Sequence, residues 1–293
     1  MSARFIGISA ALGSAASWAV GAILFRKLGD SLSPLAMTLV KGAVSVVLLG
    51  MAMIWSDFEG LDARSVVLLA LSGGVGIAMG DTFFFQALRD LGPFLLVVVG
   101  LLGQVLTVAF AVLFLGEHLS WSIALGIALV VSGIGTVLFS KLSGERTPSH
   151  WRGITFGLLS AVCMAVSVIV AKLGLKADPD TLPATFIRML AGTVALLVVG
   201  LASRQMGRWV MPFQDWALAR RFVLATGVVT FGGFWLSLVA VKYVEVSIAN
   251  TLISVEPLLV LPLAAVFCKE KVTCLAVAGA VMSVAGIVLL CWG

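Results

Sequence analysis

Charge is what this sequence has least of. Asp, Glu, Lys and Arg make up 11% of its 293 residues, where a water-soluble domain carries roughly 25%. Hydrophobic residues reach 61% and the mean hydropathy is +1.15, so too few polar side chains remain to cover a folded surface in water. A soluble domain is excluded. Histidine occurs only at His118 and His150, without an HExxH pattern, and the cysteines (Cys163, Cys268, Cys274, Cys291) sit apart from one another in or beside apolar runs. That scarcity speaks against a metal centre, and no cofactor is expected. The cysteines read as small hydrophobes kept as thiols. A net charge of +5 would suit a nucleic-acid partner, but the Lys and Arg residues stand singly or in pairs between apolar runs. That is the pattern of membrane flanks, not of a nucleic-acid surface.

What is present is long apolar runs. A hydrocarbon core about 30 Å thick needs roughly 20 apolar residues in a helix. Ten such segments can be read at about 4–26, 34–55, 64–88, 92–115, 118–140, 153–174, 182–202, 219–242, 246–268 and 272–292. The connections are short, with very tight turns expected near Arg89–Gly92 and Lys269–Lys271. No connection is long enough to be a soluble domain, so function must reside within the membrane, and the bilayer is the first partner.

The order of features repeats. A shift of 146 lays Gly7–Arg26 on Gly153–Lys172 with eight identities, among them Ser14 on Ser160. A shift of 153 lays Glu117 on Glu270, Phe114 on Phe267, Gly126 on Gly279 and Gly133 on Gly286. The same order over both halves is a repeat signal. The first segment is therefore expected to belong to the mature fold, as the twin of the sixth, and not to be a cleaved leader. Two units follow, 4–140 and 153–292. Five helices per unit is odd, so the second unit enters the membrane from the opposite side. The expected fold is an all-α integral membrane protein of ten transmembrane helices in two inverted five-helix repeats, the plan of secondary transporters. Glu117 and Glu270 are expected at helix-connecting turns, not in substrate binding.

Four ionisable residues fall well inside predicted helices: Lys41, Asp81, Arg188 and Glu256. Each costs at least ~2.5 kcal/mol in a bilayer unless paired or watered. Depth along the helices suggests two pairs, Lys41 with Asp81 and Arg188 with Glu256. Lys41 and Arg188 occupy equivalent places in the two repeats, whereas the shift of 153 lays Asp81 on Phe234 and Glu256 on Gly103. Acids present once each point to an asymmetric polar site, although buried pairs that merely lock helices would also account for them. Trp18 and its twin Met164, Phe84, Phe85, Gln104, Trp235 and Asn250 are further cavity candidates near the midplane. An amide in lipid wants a partner. Pro257 and Pro262 should bend the ninth helix beside Glu256 and free backbone carbonyls there.

The stretch "ISVEPLLVLPLAAVFCKEKV", with its Glu256–Pro257 pair, and the Phe-x-x-Glu ahead of each glycine-spaced last helix resemble the EamA family of the drug/metabolite transporter superfamily. "FIRMLAG" and "LVKGAV" resemble its basic positions early in helices seven and two, with Lys41 in place of arginine; "GDTFFFQALRDLG" resembles a third-helix stretch of one subset. The resemblance covers essentially the whole chain. It implies alternating-access transport of small metabolites such as amino acids, with export the expected direction. It also implies a multi-pass protein of the cell (inner) membrane, monomeric or homodimeric, with proton coupling in reach. A drug or cation exporter and a nucleotide-sugar-type exchanger are the alternatives. An enzyme is not expected, since Asp81 is the only embedded aspartate and no Ser/His pair accompanies it. Twelve Lys/Arg lie on the side of the 140s loop and five on the side of the termini. Basic residues favour the cytoplasm, which puts the termini outside; the resemblance implies termini inside.

Overall fold

The computed structural model describes residues 3–29, 32–55, 61–110, 113–114, 121–142, 148–176, 180–269 and 272–292. Glu117 and Glu270 lie outside the described residues. Among the described residues all regular elements are helical. In chain order they are α1 (Ala3–Leu28), α2 (Pro34–Ala52), α3 (Ala63–Leu91), α4 (Pro93–Phe110), α5 (Trp121–Leu142) and α6 (Pro148–Gly174). Then come α7 (Thr181–Ala202), α8 (Trp216–Tyr243), α9 (Val246–Ile253), α10 (Glu256–Phe267) and α11 (Cys274–Trp292), with short helical turns between α7 and α8. Helices α1, α2, α3, α6, α7 and α8 are long and apolar enough to cross a membrane. The protein is a multi-pass membrane protein.

Local chemistry sets the ends. Ser33 accepts the Ala36 N–H at the start of α2, at 3.2 Å, and Asp62 accepts the Ser65 N–H at the start of α3, at 2.7 Å. These caps satisfy donors that a helix start leaves over. The Ser65 hydrogen bonds hold the Asp62 carboxyl below its ordinary range. Gly92, at φ 78°, reverses the chain from α3 into α4 in one residue, a conformation that glycine adopts without strain. Between α9 and α10 the helix breaks at Ser254–Val255, and Pro257 stands in the first turn of α10. The bend expected from Pro257 and Pro262 is thus a break just ahead of Glu256. Pro262 continues inside α10.

The packing crosses between the halves. Helix α1 runs along α8, and α6 along α3. Small residues seven apart make the close approaches. In the first seam a Cβ on Gly7 would come within 2.8 Å of Val244, Ser14 donates to the Gly233 carbonyl at 3.0 Å, and Gly21 faces Val229. In the second, a Cβ on Gly153 would come within 2.6 Å of Leu91, Ser160 donates to the Gly80 carbonyl at 2.9 Å, and Ser167 faces Gly76. The shifts of 146 and 153 carry each contact of one seam onto one of the other. Both partner helices turn π-helical where the serines dock, over Gly74–Gly80 in α3 and Val228–Trp235 in α8. A wider turn loosens the helical ladder and leaves carbonyls open to a neighbour. Helices α5 and α11 cross on a second set of glycines, Gly133 against Gly279 and Gly286 against Gly126.

Candidate functional site

The site begins with the cost of charge in an apolar medium. Lys41 on α2 is 1% exposed and Asp81 on α3 is 2% exposed, and they form an ion pair. The pairing expected from their depths is therefore present. Lys41 Nζ also lies 4.4 Å from the centroid of the Phe234 ring and 5.6 Å from that of Phe85. Asp81 and Phe234 are repeat twins. The ammonium thus meets a carboxylate from one half and a ring face from the other, both of which favour a cation.

Arg188, the twin of Lys41, is placed differently from expectation. Among the described residues it forms no ion pair with Glu256. Its guanidinium instead interacts with Asp81 and donates to Ser167 Oγ at 3.3 Å. The cause lies in the packing of α7 against α3. The backbone carbonyl of Arg188 touches Gly73, so Arg188 stands beside the π-helical turn that delivers Asp81. One carboxylate is shared by two cations, and Arg188 Nε is left buried without a hydrogen-bond partner.

These groups border a cavity of about 190 Å³ between the halves. Trp18, Asp81, Phe84, Gln104, Met164, Arg188, Asn250, Glu256 and Pro257 all line it. Phe85 and Trp235 do not. Successive residues of a helix point about 100° apart, so with Phe84 facing the cavity Phe85 turns into the core, 3% exposed, against Phe25. Trp235, next to the cavity residue Phe234, turns away and donates from Nε1 to Thr181 Oγ1 at 3.2 Å. Lys41 lies behind Asp81 and off the wall, as does Pro262.

The polar groups on the wall are left incomplete by the protein itself. Asn250 is 5% exposed and its Nδ2 has no partner. The Glu256 carboxylate makes no hydrogen bond or ion pair with a described residue. Buried polar atoms are normally paired, so Asn250 Nδ2 and Arg188 Nε mark where a polar guest or water completes the structure, and Glu256, half-buried, lines the same cavity. The two bases, Lys41 and Arg188, share Asp81, while Glu256 stands apart. The cavity thus presents a cation at Arg188 on one wall and, on another, the Glu256 carboxyl group with no cation beside it among the described residues. Ser167, which holds Arg188, and Phe234, under Lys41, were not among the expected site residues. Phe234 was readable as the twin of Asp81, whereas nothing in the pattern of the chain singles out Ser167.

The sequence profile of the EamA-like transporter family matches residues 5–139 and again residues 151–292. No curated protein matches the chain. A solved structure described only as "Crystal structure of protein" aligns over 98% of this chain and 95% of its own, at 18% identity and a TM-score of 0.68, a likeness of fold. The sodium-calcium exchanger NCX_Mj aligns over 97% of this chain and 94% of its own at 13% identity, with a TM-score of 0.21 that carries no argument.

Proposed function

The chain belongs to the EamA-like transporter family, and from that premise we propose a secondary transporter of ten membrane crossings. In this reading α4, α5, α9 with α10, and α11 also span the bilayer, and the two five-helix units lie inverted about a midplane site. The cargo is a small zwitterionic metabolite, an amino acid or a related compound, exported across the cell membrane. The observation that carries this is the cavity's lining, with the unpartnered Arg188 Nε on one wall and the Glu256 carboxyl group, unpaired among the described residues, on another. A zwitterion supplies a carboxylate for the first and an ammonium for the second. Glu256 holds the ammonium, and when empty it takes up a proton that couples transport to the proton gradient. Gln104 and Asn250 hydrogen-bond the polar atoms of the substrate, and Trp18, Phe84 and Met164 receive its side chain.

The cavity is less suited to the alternatives. A lipophilic drug cation is disfavoured by Arg188 on the wall. A nucleotide sugar wants more basic residues than Arg188 and a Lys41 already engaged by Asp81. The test is uptake of labelled neutral amino acids into proteoliposomes, normalised to protein. Glu256→Gln is expected to lose at least about tenfold in transport per molecule, the worth of one charge-assisted hydrogen bond, while its abundance stays near normal. Undiminished transport per molecule would sink the role given to Glu256. Cells overproducing the protein should resist toxic amino-acid analogues; resistance to drug cations instead would favour the drug-export alternative.

A further inference from the structure

Glycine inside a helix costs backbone entropy, and a close approach of another chain segment is the usual reason for it. Two glycines on the wall of the central cavity have that reason. A Cβ on Gly103 would lie 3.1 Å from the Ala161 side chain, and one on Gly157 would lie 3.0 Å from Val99. Both let α4 and α6 come together. Gly100 is different. It stands in the middle of α4, between the buried Val99 and Leu101, yet no packed neighbour lies within 4 Å of the place its Cβ would take. Gly74, Gly135 and Gly207 share that open space, but of these four described glycines Gly100 alone lines the cavity. It belongs to the face of α4 that the cavity residues Gly103, Gln104 and Thr107 continue, at the spacing of one helical stripe.

We propose that Gly100 is the specificity-determining residue of this cavity, its missing side chain leaving room for an amino acid whose own side chain is apolar and of leucine size or larger. The inference rests on the transport reading and deepens it. A second, independent observation marks the same space as a ligand site. Asn250 Nδ2 and Arg188 Nε are both without a partner, each on a side chain more than nine-tenths buried, and both residues line the cavity with Gly100. Such polar groups meet the carboxylate and ammonium that all amino acids share, so they cannot tell one amino acid from another. Selection falls to the wall around the side chain, where Leu96, Val97, Met164 and Val168 are apolar. An apolar pocket discriminates by size, at roughly tenfold or more for each methylene. The one wall position where size can change without disturbing the packing of the helices is Gly100.

The experiment follows labelled L-leucine and L-alanine into proteoliposomes holding the full chain, with uptake normalised to protein. The wild type is expected to prefer leucine over alanine by at least about tenfold in transport per molecule. Gly100→Ala adds a Cβ that meets no neighbour, so the variant should melt no lower than the wild type. It should narrow the preference about fourfold, the worth of one buried methyl-sized group. Gly100→Val reaches further into the cavity and should bring the two amino acids to near-equal rates, with alanine transport kept. A preference unchanged in both variants, or an equal loss of both amino acids in folded Gly100→Ala, overturns the role given to Gly100 and leaves the transport reading standing. So does a wild type that carries alanine and not leucine. A wild type that carries neither overturns both.

Discussion

Lys41 is the largest fully buried side chain among the described residues, and its surroundings show how the cost of burying a charge is met. The Asp81 carboxylate neutralises it and the Phe234 ring faces it from the other half. Removing one member of such a pair strands the other in an apolar medium, which costs about 3–5 kcal/mol, whereas replacing both by neutral groups is often tolerated. Lys41→Met alone should therefore lower the amount of folded protein in the membrane, read as the monodisperse peak of a fluorescent fusion. Combining it with Asp81→Asn should bring that peak back. Asp81 differs from Lys41 in also lining the cavity and neighbouring Arg188. Transport per molecule should accordingly stay low in the double variant. Recovery of transport along with abundance would mean that the pair is only a structural bridge.

Helices in a bilayer gain nothing from hiding apolar surface, so they associate through close packing and hydrogen bonds. The crossing of α5 and α11 shows what that requires. A Cβ on Gly133 would lie 2.5 Å from the Gly279 carbonyl oxygen and 2.7 Å from the Ser283 N–H nitrogen, and backbone cannot swing aside. Gly135, two residues on, has open space where its Cβ would be. Gly133→Ala is expected to destabilise the protein by about 1–3 kcal/mol, as overpacking does. Gly135→Ala should be neutral or stabilising by ~0.5–1 kcal/mol through reduced backbone entropy. Thermal melting in detergent compares the two. Equal melting temperatures would show that this crossing is not a tight contact.

At the scale of the whole molecule, each half supplies what the other lacks. Helix α1 finds its main partners in α8, α9 and α10, and α6 finds its own in α3 and α4. The serine donors Ser14 and Ser160 both reach across, to Gly233 and Gly80. Neither half contains the seam that its first helix needs. A chain divided within residues 143–147 should therefore give little stable protein from either half expressed alone, and a folded, co-purifying complex when both are expressed together. Stable, monodisperse halves obtained separately would contradict this dependence.

Composition and periodicity determined that this protein lives in a membrane, because 11% charge cannot clothe a soluble surface. The shifts of 146 and 153 determined that it is built twice, and the insertion cost of charge singled out Lys41, Asp81, Arg188 and Glu256 before any fold was known. The seams were half legible, since Ser14 and Ser160 are repeat identities, but which helix each would meet was not. Partners between helices are set by side-chain shape in three dimensions, and apolar helices look alike along the chain. Depth alone pairs Lys41 with Asp81 correctly and Arg188 with Glu256 wrongly, because depth fixes one coordinate and leaves rotation about the helix open. The π-helical turns of α3 and α8 supply that rotation, and only the tertiary structure shows them. The turn of α3 leads into Asp81 and that of α8 carries Phe234; with Asp81 between the two bases, the Glu256 carboxyl group lines the cavity with no partner among the described residues.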